Sequence, residues 1–189
     1  MTRKSLLASL LFLAPFLAVV SAPAQHARTA SLTETEIDQV REAAVFPSER
    51  VQLYTKFLDE RAKKIKDLSG RPKSSQRVLK MDEALQDFTA LMDEAGSNLD
   101  QYSDRHSDIR KGLKPLTEAT PRWLTMLRMI PGESGFDLAR KEAIESGEEL
   151  ADQAKRLLQE QETYFASHKD ENGQERNDDK QAIPPPPKP

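Results

Sequence analysis

The sequence has no cysteine in its 189 residues, and it contains only three histidines and one tryptophan. The chain therefore has no disulfide, no thiolate zinc ligand and no cysteine nucleophile. No glutamate stands three residues before a histidine, which excludes the Glu-x-x-His motif of di-iron helical bundles. The glycines form neither a Gly-x-Gly pair nor a phosphate-binding loop. We therefore predict that the protein has no cofactor, no metal site and no enzymatic activity.

Charged residues make up 31% of the chain, and the net charge is -3 at pH 7. This composition is typical of proteins built from long helices, and no segment alternates apolar and polar residues as a strand does. The acidic balance provides no overall basic field that would attract nucleic acid or an anionic membrane. We therefore predict that nucleic acid is not a partner.

The first 24 residues have the pattern of a secretory signal peptide. Two basic residues precede an uncharged apolar run over residues 5–20, and Ala22 and Ala24 are the small residues of a cleavage site. The pattern predicts a periplasmic or secreted protein that is cleaved after Ala24 and keeps no stable membrane span. The alternative is an uncleaved N-terminal membrane anchor, although Pro15 interrupts a run that is already short for a span.

The remaining chain has polar ends. Residues 25–31 are predicted to be a flexible lead-in. Residues 169–189 are predicted to be a disordered tail, because they are charged and end in the prolines 184–187 and 189. No hydrophobic core can be built from such a composition. One helical domain is therefore predicted over residues 32–168.

A seam of apolar residues dominates positions 78–130. Its members recur at alternating steps of three and four, which is the heptad spacing of helices that pack side by side. They are Val78, Met81, Leu85, Phe88, Met92, Ala95, Leu99, Tyr102, Ile109, Leu113, Leu116, Trp123, Leu127 and Ile130, and only His106 and Thr120 interrupt the series. The phase passes through Gly96 unbroken, which favours one continuous helix over two helices joined by a turn there.

Capping residues and prolines indicate where the first three helices begin and end. Thr33 and Glu36 form a predicted capping box for a short first helix. Pro47 opens a second helix, which ends near Leu68 with Gly70 as a left-handed C-cap. Its predicted buried face comprises Val51, Tyr54, Leu58, Ala62, Ile65 and Leu68. The central helix is expected to end near Leu113, because Pro115 cannot continue an undistorted helix.

Two more helices are predicted after the central one. Thr120 and Pro121 are expected to start a short helix that ends at Ile130, and Ser134 is expected to cap the last helix with Asp137 at its third position. Along the last helix Phe136, Ala143, Leu150, Leu157 and Tyr164 recur every seven residues, with Gly147 and Ala154 at alternate sites. The sequence thus predicts an all-α fold, an elongated antiparallel bundle of four to five helices with one long central helix.

His106 is the most suggestive single side chain, because it occupies a seam position. A ligand role would require partners, yet the residues one turn away are Tyr102 and Arg110 rather than carboxylates. We interpret His106 as a half-buried polar residue that fixes the register of the helices.

Four glutamates, at positions 142, 145, 148 and 149, lie close together on the last predicted helix. Paired carboxylates can bind a hard cation or act as acid and base. However, Lys141 and Glu145 have the i,i+4 spacing of a solvated helix face. We interpret these glutamates as such a face and keep the cation site as the alternative.

Two other motifs have structural interpretations. The segment Gly132–Phe136 resembles a Gly-x-Ser-x-Gly nucleophile elbow around Ser134, but phenylalanine replaces the second glycine and a helix rather than a strand precedes it. The basic stretch Arg61–Arg77 has no interleaved aromatic residues and is interpreted as a solvated helix end. Contact with an anionic lipid or a cell-wall polymer is the alternative there.

Three functions follow from these observations. The first is an exported, non-catalytic interaction or scaffold protein of the cell envelope, which binds a partner or a second copy through the seam. The second is a chaperone-like or ligand-binding bundle that uses methionines 81, 92, 126 and 129 as an adaptable apolar surface. The third is an enzyme or cation binder that uses the acidic face of the last helix.

Overall fold

The computed structural model describes residues 31–169, so the predicted signal peptide and the tail beyond Lys169 lie outside the described residues. Five helices and no strands are found there: α1 (Glu34–Glu42), α2 (Pro47–Ser69), α3 (Ser75–Asp104), α4 (Arg110–Met129) and α5 (Asp137–Ser167). The prediction of an all-α helical bundle is confirmed.

Helices α2 to α5 form a four-helix bundle, and α1 lies against α2. Around the bundle the order is α2, α3, α5, α4, so that α3 and α4 occupy opposite corners. Successive helices run antiparallel, as predicted. The short connection from α3 to α4 crosses the end of the bundle diagonally, and it makes α2 and α4 parallel neighbours: Ser48 bonds to Asp108 near their starts, and Asp59 bonds to Trp123 further along. Helices α3 and α5 are parallel neighbours for the same reason.

The apolar seam forms most of the core. Its members from Met81 to Ile130 are buried and Val78 is partly buried. Across the diagonal, the rings of Phe88 on α3 and Trp123 on α4 meet edge to face with their centroids 5.8 Å apart. The predicted buried face of α2 is confirmed, and so are Phe136, Ala143, Leu150 and Leu157. The core is therefore completed within a single chain.

Helices α1 and α2 begin as the sequence predicts. The Thr33 side chain accepts a hydrogen bond from the Glu36 backbone N–H, and the Glu36 carboxylate accepts one from the Thr33 N–H, which completes the capping box. Pro47 stands in the first turn of α2. The prediction for Gly70 is wrong, because this residue ends α2 in a right-handed conformation with φ -79°.

Helix α3 continues through Gly96 as predicted, but it ends at Asp104 rather than near Leu113. The end is a Schellman motif: the N–H groups of His106 and Ser107 donate to the carbonyls of Ser103 and Tyr102. His106 takes the left-handed position of this motif with φ 54°, where glycine is the usual residue. The seven-residue spacing from Tyr102 to Ile109 therefore spans a turn, and heptad phase alone gave no sign of it.

Helix α4 runs through both Pro115 and Pro121, so the predicted break at Pro115 and restart at Thr120 are wrong. Pro115 has no N–H to donate to the carbonyl four residues earlier, which belongs to Lys111. The side-chain amide of Gln52 on α2 donates to this carbonyl instead, at 3.2 Å. Tertiary contacts thus replace a bond that proline removes, and burial of Leu116, Ala119 and Trp123 holds the helix together between and beyond the prolines.

Helix α5 begins at Asp137 with Phe136 as N-cap and without a side-chain cap, so the capping role predicted for Ser134 is wrong. The buried ring of Phe136 fixes this start instead, with the guanidinium of Arg77 stacked 5.8 Å from its centroid. Arg77 also pairs with Glu133, and the turn is closed at Gly135, whose φ of 106° suits glycine. A tertiary anchor from α3 therefore replaces the local cap.

The diagonal connection is fixed by one side chain of α5. Gln161 is buried; its Oε1 accepts a hydrogen bond from the Ile109 N–H at 3.0 Å, and its Nε2 donates to the Ser107 carbonyl at 2.8 Å. The Ser48 hydroxyl of α2 donates to the Asp108 carbonyl at 3.1 Å. Two helices, α5 and α2, thereby satisfy backbone groups of the turn that joins the two halves of the bundle.

Replacement of Gln161 by alanine is expected to lower the free energy of unfolding by about 3 kcal/mol, because two buried backbone groups lose their partners at about 1–3 kcal/mol each. Urea denaturation measures the change. Gln159→Ala, two residues away on the exposed face of α5, is the matched control and is expected to shift stability by less than about 0.5 kcal/mol. Equal effects of the two substitutions would contradict the role given to Gln161.

Replacement of His106 by glycine is expected to raise the free energy of unfolding by about 0.5–1 kcal/mol, because glycine adopts φ 54° without the steric cost that a Cβ adds. His106→Ala keeps the Cβ and removes the imidazole, so it separates backbone strain from ring contacts. Thermal melts of both variants are the measurement. A glycine variant no more stable than the alanine variant would contradict the strain argument.

Candidate functional site

His106 lies on the surface, at the turn between α3 and α4, so its interpretation as a half-buried register residue is wrong. Its ring approaches that of Tyr164 with the centroids 5.5 Å apart, and Tyr164 stacks on His168 at 4.1 Å with an angle of 9° between the planes. These three rings form a small aromatic group beside the end of α5. The role of His106 in the fold comes from its backbone conformation.

The four glutamates of the last helix are exposed. Glu148 pairs with Arg128 of α4, and within residues 31–169 no group of three or more His, Asp and Glu side chains is arranged to hold a metal ion. This arrangement supports the interpretation as a solvated helix face. Ser134 lies in the turn before α5, where it is exposed.

A groove of about 600 Å³ runs between the parallel helices α3 and α5. Asp93 and Asp100 of α3 line one side, and Glu149, Asp152 and Arg156 of α5 line the other. Glu149 of the predicted acidic face thus reaches a concave surface together with carboxylates from another helix.

Two polar side chains of this groove, Ser146 and Gln153, join the two helices. The Ser146 hydroxyl donates to Asp93 at 2.7 Å, and the Gln153 amide donates to the Gly96 carbonyl at 3.0 Å and to Asp100 at 2.6 Å. The hydroxyl of Ser146 therefore faces a carboxylate without a histidine or lysine to activate it. The groove is therefore a joint between helices.

A polar network that was not foreseen from the sequence lies between α2 and α3. The Tyr54 hydroxyl donates to Glu94 at 2.8 Å, and Asn98 donates to the Glu94 carbonyl at 2.9 Å. Ser31, ahead of α1, also bonds to Glu94, and Arg50 donates to Asn98 at 3.3 Å. The sequence did contain a signal for this network, because Glu94 and Asn98 are one helical turn apart on the side of α3 next to its seam.

The ionisation of the two tyrosines at this joint is suppressed. Burial raises the pKa of the Tyr54 phenol, and its hydrogen bond to Glu94 raises it further. Burial also raises the pKa of Tyr102, while nearby Arg50 opposes that shift. Both phenols therefore stay protonated at physiological pH and cannot serve as bases.

The basic stretch Arg61–Arg77 divides into two kinds of residue. Its terminal arginines are not solvated, since Arg61 pairs with Glu36 of α1 and Arg77 pairs with Glu133. The solvated interpretation is therefore wrong for these two side chains. The cations between them are exposed: Lys63, Lys64, Lys66, Arg71 and Lys73.

Three large apolar side chains are exposed at this same end of the bundle, where α2 and α4 end and α3 and α5 begin; we name it the basic end. Leu79 is 64% exposed, Met129 77% and Leu138 71%. At the opposite end, Val45 and Phe46 are 46% and 45% exposed. Sequence reasoning missed these residues, although Leu79 and Met129 each stand one position out of seam phase and so belong to an outer helix face.

No protein-family model matches the chain, and neither a curated protein nor a solved structure matches it. Over residues 31–169, no helix has both the length and the apolar character needed to cross a membrane.

Two tyrosine substitutions that each remove one hydroxyl should differ in their effect on stability. Tyr54→Phe removes a donor to Glu94 and is expected to cost about 1–2 kcal/mol of unfolding free energy. Tyr102→Phe removes a buried hydroxyl that has no hydrogen-bond partner, and it is expected to be neutral or to stabilise by up to about 1 kcal/mol. Urea denaturation of both variants at pH 7 checks this, and a larger loss for Tyr102→Phe would refute the assignment of the network.

Proposed function

We propose that the protein is an exported, non-catalytic interaction protein of the cell envelope that presents the ends of a rigid helical bundle to its partners. One observation carries this proposal. In the part of the chain that the structure describes, the exposed large apolar side chains are Val45, Phe46, Leu79, Met129 and Leu138, and all of them lie near helix ends. The flanks of the bundle expose mainly polar and charged side chains.

The interaction surface is placed at the ends because the seam is closed. Met81, Leu85, Phe88, Leu113 and Leu127 are each less than 2% exposed, so a partner helix would have to open the bundle to reach them. Exposure of large apolar side chains to water is unfavourable, and groups of exposed apolar side chains mark interaction sites. The ends therefore offer the surfaces for a partner.

The chaperone-like alternative loses the feature that suggested it. Met81 and Met92 lie in the core and Met126 is partly buried, so only Met129 among the four methionines is exposed. They do not form a continuous adaptable surface. Nothing in the described structure favours the enzyme or cation-binding alternative over a solvated acidic face.

Export is tested by the mass of the chain recovered from cells that express it. Cleavage after Ala24 is expected to give a mature chain that begins at Gln25, found in the extracytoplasmic fraction. Mass spectrometry of the intact protein reads the N-terminus directly. Recovery of a chain that retains residues 1–24 would contradict the cleaved signal, and a membrane-bound form of that chain would establish the anchor alternative.

The use of the ends is tested by photo-crosslinking in the same cells. A photoreactive phenylalanine derivative at Phe46 or Met129 is expected to form a defined adduct, since both positions lie at exposed apolar ends. The same residue at Gln86, exposed on the flank of α3, is the matched control and is expected to give none. Adducts at Gln86 alone, or at none of the three positions, would overturn the proposal.

A further inference from the structure

We infer that the basic end is a docking surface for an anionic phospholipid membrane and that the bundle binds this membrane end-on. This inference deepens the proposed function, on which it rests, by naming the chemistry of one partner. Two independent features of this end support the inference. One is its charge, and the other is its three exposed apolar side chains, Leu79, Met129 and Leu138, which we name the apolar tips.

The charge of this end differs in sign from that of the whole protein. Residues 63–80 contain seven lysines and arginines against the single aspartate Asp67, although the net charge of the chain is -3. Six of these cations are exposed, and only Lys64 among the six has an ion-pair partner, Asp87 at 3.7 Å. The carboxylates of Glu60, Asp67 and Glu83 share a surface with four of these cations and offset part of their charge. The surface nonetheless has a clear excess of positive charge.

The local charge determines the electrostatic interaction with a membrane, because salt at physiological ionic strength screens charges that are more than about 8 Å apart. Helix α3 has 30 residues and spans about 45 Å, so the acidic residues near its far end lie many screening lengths away. A surface of anionic lipids therefore interacts chiefly with the basic end. Each cation close to such a surface contributes about a fivefold increase in binding.

The apolar tips lie at the same end of the bundle as these cations. Leu79 is the fifth residue of α3, Leu138 the second of α5, and Met129 the last of α4, so all three side chains lie within about two turns of the basic end. The start of α3 and the turn before α5 are in contact through Arg77 and Glu133, which brings two of the tips to neighbouring elements. Exposed apolar side chains with a basic rim are the features with which peripheral proteins insert at the headgroup boundary.

Other occupants fit this surface less well. Two copies meeting through the basic end would bring like charges together, and three side chains cannot supply the roughly 800 Å² per partner of a stable dimer. Nucleic acid would leave the apolar tips without a role, and the cations have no interleaved aromatic side chains on which bases could stack. A surface of anionic lipids would contact both the cations and the apolar tips.

The test uses the processed chain, residues 25–189, which contains the whole described fold and lacks the apolar run that would itself bind lipid. Flotation is measured with vesicles of phosphatidylglycerol and phosphatidylcholine in equal amounts, and with vesicles of phosphatidylcholine alone. Binding to the anionic vesicles is expected at 50 mM salt and is expected to fall at least tenfold at 500 mM. Equal binding to neutral vesicles, or no binding at 50 mM salt, would overturn the inference.

Matched variants locate the surface. Lys73→Gln with Lys80→Gln is expected to weaken binding about 25-fold, and Leu79→Ser with Leu138→Ser at least tenfold. Val45→Ser with Phe46→Ser at the opposite end is the control and should bind as the parent chain does. Circular dichroism and melting temperature show whether each variant folds. A loss of binding confined to the control variant would place the lipid-binding surface at the opposite end and would overturn the inference.

The lack of native cysteine permits a second readout that does not depend on stability. A single cysteine at position 79, 138 or 46 carries an environment-sensitive dye, and a blue shift on adding anionic vesicles is expected at 79 and 138 but not at 46. A dye at position 46 that shifts as strongly as the other two would refute end-on docking. If vesicles do not bind while crosslinks to a protein persist at Met129, the lipid inference fails and the proposed interaction function stands.

Discussion

The bundle depends on the two hydrogen bonds that Gln161 makes to the turn between α3 and α4. A turn that crosses the end of a bundle covers the core with backbone, and buried backbone groups need partners. The side chain of Gln161 offers one acceptor and one donor, and it meets Ile109 and Ser107 with both. The same contact ties α5 to the turn between α3 and α4, the two helices that flank it in the bundle.

The core was predictable because heptad spacing reports burial directly. Val51, Leu85 and Leu150 each lie on a face whose period matches the helix, and each is buried. Helix ends were less predictable wherever tertiary contacts replace local signals. Pro115 stands inside a helix because Gln52 compensates for its missing N–H, and α5 starts at a buried ring instead of a capping hydroxyl. Local propensity contains no information about either partner.

The polar contacts followed a similar rule, since a contact within one helical turn was predictable and a contact between helices was not. Thr33 and Glu36 form the capping box that their spacing predicted, since both partners lie within one turn. The network of Tyr54, Glu94 and Asn98 needs two helices in a particular register, which a single sequence does not specify. The composition indicates the overall sign of the charge, whereas only the fold shows that Leu79, Met129 and Leu138 share one end with the cations of residues 63–80. Averaged over the chain, the net negative charge provides no attraction to an anionic membrane, whereas the local charge of the basic end does.

The diagonal turn also determines how the backbone dipoles are arranged. In a bundle whose neighbours are all antiparallel, every helix N-terminus adjoins a C-terminus and their partial charges largely cancel. Here α3 and α5 are parallel neighbours, so their N-termini adjoin at one side of the basic end, and the C-termini of α2 and α4 adjoin at the other. Each end of the bundle thus carries a transverse electric dipole, opposite in direction at the two ends. The positive side of the basic end belongs to the helices that bear Leu79 and Leu138. The peptide backbone alone therefore favours a tilt that brings this side of the molecule towards an anionic plane.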